Sequence, residues 1–196
     1  MSARDERRLV LVVGVGRSGT SLLAGILGQL GLHIPQPEVN ANATNPRGFG
    51  EPRWVVDFHT RLLNQRHVTV NDARPAAWAV TRRAGETSAA RDELRAWLRP
   101  QLEQTGAAVI KDPRTSWFLP LWMDVAGELG VPPVFVTMLR HPAAVVDSKQ
   151  RYYGAWQGDV SRAARSRRVW KSTTHCDSAK PRGFVSSAGT SGCGTW

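Results

Sequence analysis

The sequence has few cysteines and no long apolar run. Its two cysteines, Cys176 and Cys193, both lie near the C-terminus, so residues 1–160 offer neither a disulfide framework nor a thiolate metal site. At the N-terminus, charged residues lead directly into a short apolar run at residues 9–13. This run is far too short for a membrane span or for the apolar part of a secretory signal. The sequence therefore predicts a cytoplasmic protein without a membrane span.

Lysine is also scarce, with four lysines against 22 arginines in a chain whose formal net charge is +10. The charge is uneven, because residues 161–196 carry +6 and residues 1–160 carry only +4. A basic excess can indicate binding to nucleic acid or to an anionic surface. Here the excess is neither organised on a helix nor interleaved with stacking aromatic residues. We therefore expect no nucleic-acid partner.

The length of 196 residues and the 41% hydrophobic content fit one globular domain. We assign residues 1–160 to that domain and residues 161–196 to a basic tail, because the composition there changes to Ser, Thr, Gly and Arg without apolar periodicity. Two interpretations of the tail stay open. It is either an ordinary disordered segment or a frameshifted or truncated C-terminus that replaces the rest of an α/β unit.

Apolar strands alternate with amphipathic helices along the domain. Strands are predicted at residues 9–13, 107–113 and 134–139, the first two of them buried. Helices are predicted at residues 22–30, from about residue 52, around residues 94–102, around residues 121–129 and from about residue 143. This alternation predicts a three-layer α/β/α domain with a mostly parallel sheet.

A glycine-rich stretch, "GVGRSGTS" at residues 14–21, lies between the first strand and the first helix. Such a turn presents backbone N–H groups at a helix N-terminus and favours an anion. Gly14 and Gly19 have the spacing of an ATP-binding loop, but Thr20 occupies the position of the lysine that this loop requires. A dinucleotide site is also disfavoured, because no acidic residue follows a second strand at the usual distance. Arg17 supplies a guanidinium that can bind phosphate or sulfate oxygens with two hydrogen bonds.

Two stretches together resemble the cofactor motifs of sulfotransferases that use 3′-phosphoadenosine 5′-phosphosulfate (PAPS). "GRSGTSLL" resembles the loop that binds the 5′-phosphosulfate, in the form with Arg that bacterial and Golgi-type enzymes use. "FVTMLRHPAAVVDSKQ" resembles the 3′-phosphate motif, with Arg140 at a strand end and Ser148 eight residues later. The resemblance covers roughly residues 8–155. It implies a P-loop-NTPase-like sulfotransferase fold and an enzyme that transfers a sulfuryl group from PAPS to an acceptor hydroxyl, with no metal required.

The resemblance also implies roles for particular residues. Arg17 would contact the leaving group during catalysis as well as bind the donor. The implied donor-binding residues are Arg17, Ser18, Gly19, Thr20 and Ser21 at the 5′-phosphosulfate, and Arg140 and Ser148 at the 3′-phosphate. The acceptor would be a hydroxyl-bearing glycan, lipid or small metabolite, and the oligomeric state stays open.

For the catalytic base we prefer Glu51, in "NPRGFGEP" at the start of the second helix; the alternative is an acid that only stabilises the helix dipole. His59 is a second candidate base, with ordinary packing as its alternative. Lys111, in "IKDPR", ends a buried strand at the sheet edge where ligands bind. It either contacts the sulfuryl group, or orders the acceptor pocket, or forms a structural ion-pair turn with Asp112 and Arg114.

Two other functions stay open. A phosphotransferase or nucleotide hydrolase would need Mg²⁺ and a loop lysine, and Thr20 argues against it. A truncated remnant would bind the adenosine bisphosphate without turnover. Five tryptophans are predicted to lie in the core or to line a pocket rather than to form a cofactor platform: Trp54, Trp78, Trp97, Trp117 and Trp122.

Overall fold

A parallel three-stranded sheet lies at the centre of the described part of the chain, residues 7–153 of a computed structural model. The predicted tail at residues 161–196 lies outside the described residues. The strands are β1 (Arg8–Val13), β2 (Ala107–Lys111) and β3 (Val134–Thr137), in the order β2-β1-β3. Leu9 is in register with Ala108 of β2, and Val10 with Val134 of β3. The predicted α/β class and the parallel sheet are therefore confirmed.

Six α-helices and a 3-10 helix complete the described residues. The helices are α1 (Thr20–Gln29), α2 (Arg53–Asn64), α3 (Pro75–Gly85), α4 (Ser88–Thr105), α5 (Leu119–Glu128) and α6 (Pro142–Tyr153), and the 3-10 helix spans Pro113–Phe118. Every helix predicted from the sequence is present. Helix α3 is not predicted, because its buried positions hold small residues, including Ala77 and Ala84, which give a weak periodic signal.

The core forms between the sheet and helices that include α2, α4 and α5. Leu9, Leu11 and Ile110 of the sheet are fully buried in one cluster with Leu94 of α4 and Trp122 of α5. Each such side chain stabilises the fold by about 1.5–3 kcal/mol relative to exposure. The strand β1 is buried because it has a partner strand on each side and helices against its faces.

The tryptophans supply burial, as predicted. Trp117 and Trp122 are buried, and Trp54, Trp78 and Trp97 pack against the core cluster. Trp54 stacks on Trp97 with 4.4 Å between ring centroids, and Trp78 stacks on Trp117 at 4.1 Å. None of the five lines the cavity described below.

The strand β3 differs from its neighbours in its exposure. Among residues 7–153 it pairs only with β1, and Val134 and Phe135 are 58% and 39% exposed. Leu139, just after the strand, is 74% exposed. The described residues therefore leave apolar surface uncovered on the strand that leads to Arg140.

Residues 37–52 form a loop that brings Gly50 against α1. The backbone N–H of Val39 donates to the carbonyl of Glu51 at 2.8 Å, and that of Arg53 donates to the carbonyl of Pro37 at 2.8 Å. Gly50 has φ 62°, and a Cβ there would lie 2.9 Å from the Cβ of Ala24 in α1. Because of both the φ angle and the close approach, this position requires glycine.

Gly50→Ala should lower the free energy of unfolding by about 3 kcal/mol, since it adds left-handed backbone strain and a steric clash. Gly48→Ala is the matched control, because Gly48 has φ 84° but open space around it, so it should lose only about 1–2 kcal/mol. Urea denaturation followed by circular dichroism measures both. A loss at Gly50 no larger than that at Gly48 would contradict the close approach.

Candidate functional site

A cavity of about 400 Å³ opens at the C-terminal ends of the strands. Its walls come from the loop after β1, the segment before α2, the loop between α2 and α3, the turn after β2, and Arg140 with helix α6 after β3. Eight of the nine site residues predicted from the sequence line it: Arg17, Gly19, Thr20, Ser21, Glu51, Lys111, Arg140 and Ser148. The cavity lies where open parallel sheets place their ligands.

The glycine loop has a backbone that few residues other than glycine adopt. Gly14 has φ 145° and Gly19 has φ 106°. Arg17 has φ 76°, an uncommon value for a residue with a side chain, which the surrounding contacts must hold in place. Ser18 is buried, and its hydroxyl donates to the carbonyl of Val15 at 2.8 Å. Ser18 does not line the cavity, and its contact with a ligand stays a prediction.

Arg17 connects this loop to α6. Its Nε donates to Ser148 Oγ at 3.0 Å and its Nη1 donates to the carbonyl of Thr44 at 3.2 Å. The guanidinium carbon lies 4.3 Å from the ring centroid of Tyr152, a cation–π contact. Arg140 Nη1 in turn donates to the carbonyl of Arg17 at 3.1 Å. The two sequence motifs, 131 residues apart at Arg17 and Ser148, therefore meet through direct hydrogen bonds.

Glu51 and Lys111 form a buried ion pair in the cavity wall. Lys111 Nζ donates to Glu51 Oε1 and, at 3.3 Å, to Ser21 Oγ of the glycine loop. Burial raises the pKa of Glu51 above its ordinary value of 4.5, although the charge of Lys111 acts in the opposite direction. Glu51 precedes the N-cap residue Pro52 of α2 and pairs with Lys111, so a role confined to the helix dipole does not describe its contacts. A carboxylate with a raised pKa is suited to accept a proton.

His59 is fully buried, and the structure corrects its assignment as a candidate base. Trp122 Nε1 donates to His59 Nε2 at 2.9 Å, and His59 Nδ1 lies 2.7 Å from Asp112 Oδ2. Because an indole nitrogen can only donate, Nε2 is the acceptor and Nδ1 carries the proton that it donates to Asp112. Both ring nitrogens are occupied away from the cavity, so His59 cannot take a proton from a substrate.

Asp112 orders the turn after β2. Its Oδ1 accepts from the backbone N–H of Arg114 at 3.1 Å and from Arg114 Nη1 at 2.7 Å. Burial alone would raise the pKa of Asp112, but the hydrogen bond from His59 and the charge of Arg114 outweigh it, so the pKa is lowered. Asp112 and Arg114 therefore form a structural ion pair, and Lys111 lies in the cavity wall. Contact of Lys111 with a sulfuryl group, or a role in ordering the acceptor pocket, stays a prediction.

Several cavity residues have no motif that would identify them in the sequence. They are Asn45, Phe49, Val70, Asn71 and Lys149. Lys149 follows Ser148 on α6, and its Nζ donates to Asn71 Oδ1 at 2.9 Å. The loop between α2 and α3 brings Asn71 to the cavity, and that loop could not be placed without knowing of α3.

The charge of the cavity favours an anionic ligand. Five cationic side chains line it, and Glu51 is the single acid among the described lining residues; the cations are Arg17, Lys111, Arg114, Arg140 and Lys149. Oxyanions are stabilised by such a group of cations within low-dielectric walls. Within residues 7–153, no group of three or more His, Cys, Asp or Glu side chains could hold a metal ion. No helix of that same range has the length and apolar character to cross a membrane.

Comparison with known proteins gives no relative. The chain matches no protein-family model, no curated protein and no solved structure. The chemistry of the site is therefore argued from its own charges, contacts and burial.

Asp112→Asn should lower the free energy of unfolding at neutral pH by about 3 kcal/mol, because it breaks a buried charged network. The lowered pKa of Asp112 means that its stabilisation is complete above the ordinary value of 3.8 and is lost as the pH falls through the folded-state pKa. The stability difference between wild type and variant should therefore shrink at about pH 3.

Urea denaturation at both pH values measures this difference. Asp124→Asn is the control, because Asp124 is exposed in its pair with Arg91 and should change stability little. A difference at Asp112 that does not depend on pH would contradict the lowered pKa.

Proposed function

We propose that this chain is a sulfotransferase that moves a sulfuryl group from PAPS to an acceptor hydroxyl, on a three-layer P-loop-like fold. The observation that carries the proposal is the direct contact between the two motifs. Arg17 of the glycine loop bonds to Ser148, and Arg140 bonds to the backbone of Arg17, at one cavity rich in cations. The loops after β1 and β3 lie side by side because these strands are parallel neighbours, so the support comes from the polar contacts between the two motifs and from the cationic side chains that both add to the cavity.

The donor has an anionic group at each end, and the cavity offers a match for both. The glycine loop and the N-terminus of α1, with Arg17, Thr20 and Ser21, would hold the 5′-phosphosulfate. Arg140 and Ser148 would hold the 3′-phosphate. An excess of four cationic over acidic side chains suits a ligand that carries several negative charges.

The arrangement supports an in-line transfer in which PAPS supplies the sulfuryl group. The acceptor oxygen forms a bond to sulfur while the bond between sulfur and the 5′-phosphate oxygen breaks, which releases adenosine 3′,5′-bisphosphate. Glu51 takes the proton of the acceptor hydroxyl, a role that its raised pKa supports. Lys111 and Arg17 stabilise charge on the sulfuryl group and the leaving phosphate. Lys111 bonds both Glu51 and Ser21, so it fixes the base relative to the donor loop.

The proposal includes the remaining expectations from the sequence. The acceptor is a hydroxyl on a glycan, a lipid or a small metabolite, the reaction needs no metal, and the protein acts in the cytoplasm.

A second candidate function is a remnant that binds adenosine 3′,5′-bisphosphate without turnover. The exposed apolar residues Val134, Phe135 and Leu139 favour it, because they leave β3 uncovered within the described residues next to Arg140. A site of this kind would keep the donor contacts and lack the surroundings that a complete acceptor pocket requires.

Calorimetric titration with adenosine 3′,5′-bisphosphate tests the donor site. Arg140→Ala should weaken binding at least about tenfold, since one hydrogen bond to a charged group contributes roughly 1.5–3 kcal/mol. Arg83→Ala is the matched control, because Arg83 is exposed on α3 and outside the cavity. A folded chain that does not bind the bisphosphate would sink the proposal, and tighter binding of ATP with Mg²⁺ would favour a phosphotransferase.

Glu51→Gln should keep the affinity for the bisphosphate and lower kcat by about 10²–10⁴, the usual contribution of a general base. Sulfate transfer from labelled PAPS to a panel of hydroxyl compounds measures kcat. Glu103→Gln, an exposed change on α4, is the control and should retain activity. Unchanged turnover in Glu51→Gln would exclude Glu51 as the base, and binding without turnover in wild type would identify the remnant.

A further inference from the structure

Lys149 lines the cavity, and the resemblance assigns it no donor contact. It follows Ser148 on α6, and neighbouring side chains on a helix point in different directions. Ser148 Oγ accepts from Arg17, whereas Lys149 Nζ donates to Asn71 Oδ1 at 2.9 Å. Helix α6 therefore contributes to two parts of the cavity, one at the glycine loop and one at the loop between α2 and α3.

Lys149 also differs from two of the other cavity cations, Lys111 and Arg114, in its partners. Arg17 and Arg140, which are assigned to the donor, bond to neutral oxygens as Lys149 does. Lys111 pairs with Glu51, and Arg114 pairs with Asp112. Within residues 7–153, Lys149 has no acidic partner, and its recorded hydrogen bond goes to a neutral amide oxygen. Burial lowers the pKa of Lys149 from its ordinary value of 10.5. The ammonium group of Lys149 has lost part of its hydration and has no counter-charge to compensate for that loss. An anionic group of a ligand beside it would therefore be stabilised.

The surroundings of Lys149 separate it from the proposed donor contacts. Lys149 Nζ contacts Asn71, which belongs to the loop before α3. Asn71 is part of neither the glycine loop nor the stretch that carries Arg140 and Ser148. Asn71 accepts from Lys149 through Oδ1, which leaves its amide N–H groups as donors for the same anion.

We propose that Lys149 and Asn71 form a subsite for an anionic group of the acceptor, a carboxylate or a sulfate ester on the same molecule as the reacting hydroxyl. The substrate class is then an acidic hydroxyl compound, such as a uronate or an already sulfated sugar. This inference rests on the proposed sulfotransferase function. The anionic group of the acceptor would then be the counter-charge of Lys149, which the donor does not supply.

Ligand-observed saturation-transfer NMR tests the subsite without requiring turnover. The full chain is saturated with adenosine 3′,5′-bisphosphate and titrated with three probes: methyl β-glucoside, methyl β-glucuronide and methyl β-glucoside 6-sulfate. At least one charged probe should bind about tenfold more tightly than the neutral glucoside, as expected for one charge-assisted hydrogen bond. The carboxylate and sulfate probes show which anion the subsite prefers.

Lys149→Met should remove the preference for the charged probes and leave the affinity for the bisphosphate unchanged. Arg151→Gln is the matched control, because Arg151 is an exposed cation on the same helix and outside the cavity. It should keep the preference. Methionine fills a similar volume without a charge, so the variant should have a Tm equal to or above that of the wild type.

Four results would overturn the inference. They are equal binding of neutral and charged probes, no binding of any probe to the loaded protein, a clear loss of bisphosphate affinity in Lys149→Met, and a lower Tm of that variant. The third would make Lys149 a donor contact and the fourth a structural residue. Failure of the wild type to bind the bisphosphate would instead refute the proposed function, and this inference with it.

Discussion

The buried carboxylate of Asp112 is the constraint on which the cavity depends. A charge without access to water has to be compensated within the protein. Here His59 provides an N–H, Trp122 fixes the orientation of the His59 ring, and Arg114 provides both a backbone and a side-chain donor. These contacts hold α2 and α5 against the end of β2. The position of Lys111, one residue before Asp112, follows from the same turn.

Two further contacts fix other walls of the cavity. They are the ion pair of Lys111 with Glu51 and the hydrogen bond of Arg17 with Ser148. Lys111 connects β2 to the segment before α2 and to Ser21, while Arg17 connects the glycine loop to α6. Each link joins elements that are distant in the chain. Lys111, at the end of β2, therefore fixes Glu51 and Ser21 in the cavity wall, whereas α6 and the carbonyl of Thr44 fix Arg17.

Much of this arrangement is readable from the sequence. Strands such as β1 are predictable because a short apolar run bounded by glycine and polar residues fits few other secondary structures. The spacing of the motifs identifies Arg17, Arg140 and Ser148. What remains depends on long-range contacts. The sequence cannot show that His59 is held by Asp112, which lies 53 residues away. The resemblance assigns Lys149 no role, so the sequence does not single it out. Its place in the site becomes evident only from the burial and the neutral partner that the fold gives it.

The contacts of Arg17 have a consequence for the kind of cation that this loop can use. Its guanidinium bonds to a hydroxyl and a carbonyl in its plane, while its face lies against the ring of Tyr152. An ammonium group has no plane and no face, so a lysine at this position would keep the charge and lose the stacking and the paired directions of donation. At position 17 the loop therefore requires the planar shape of a guanidinium as well as its positive charge. This agrees with a chain that uses arginine for most of its other cations.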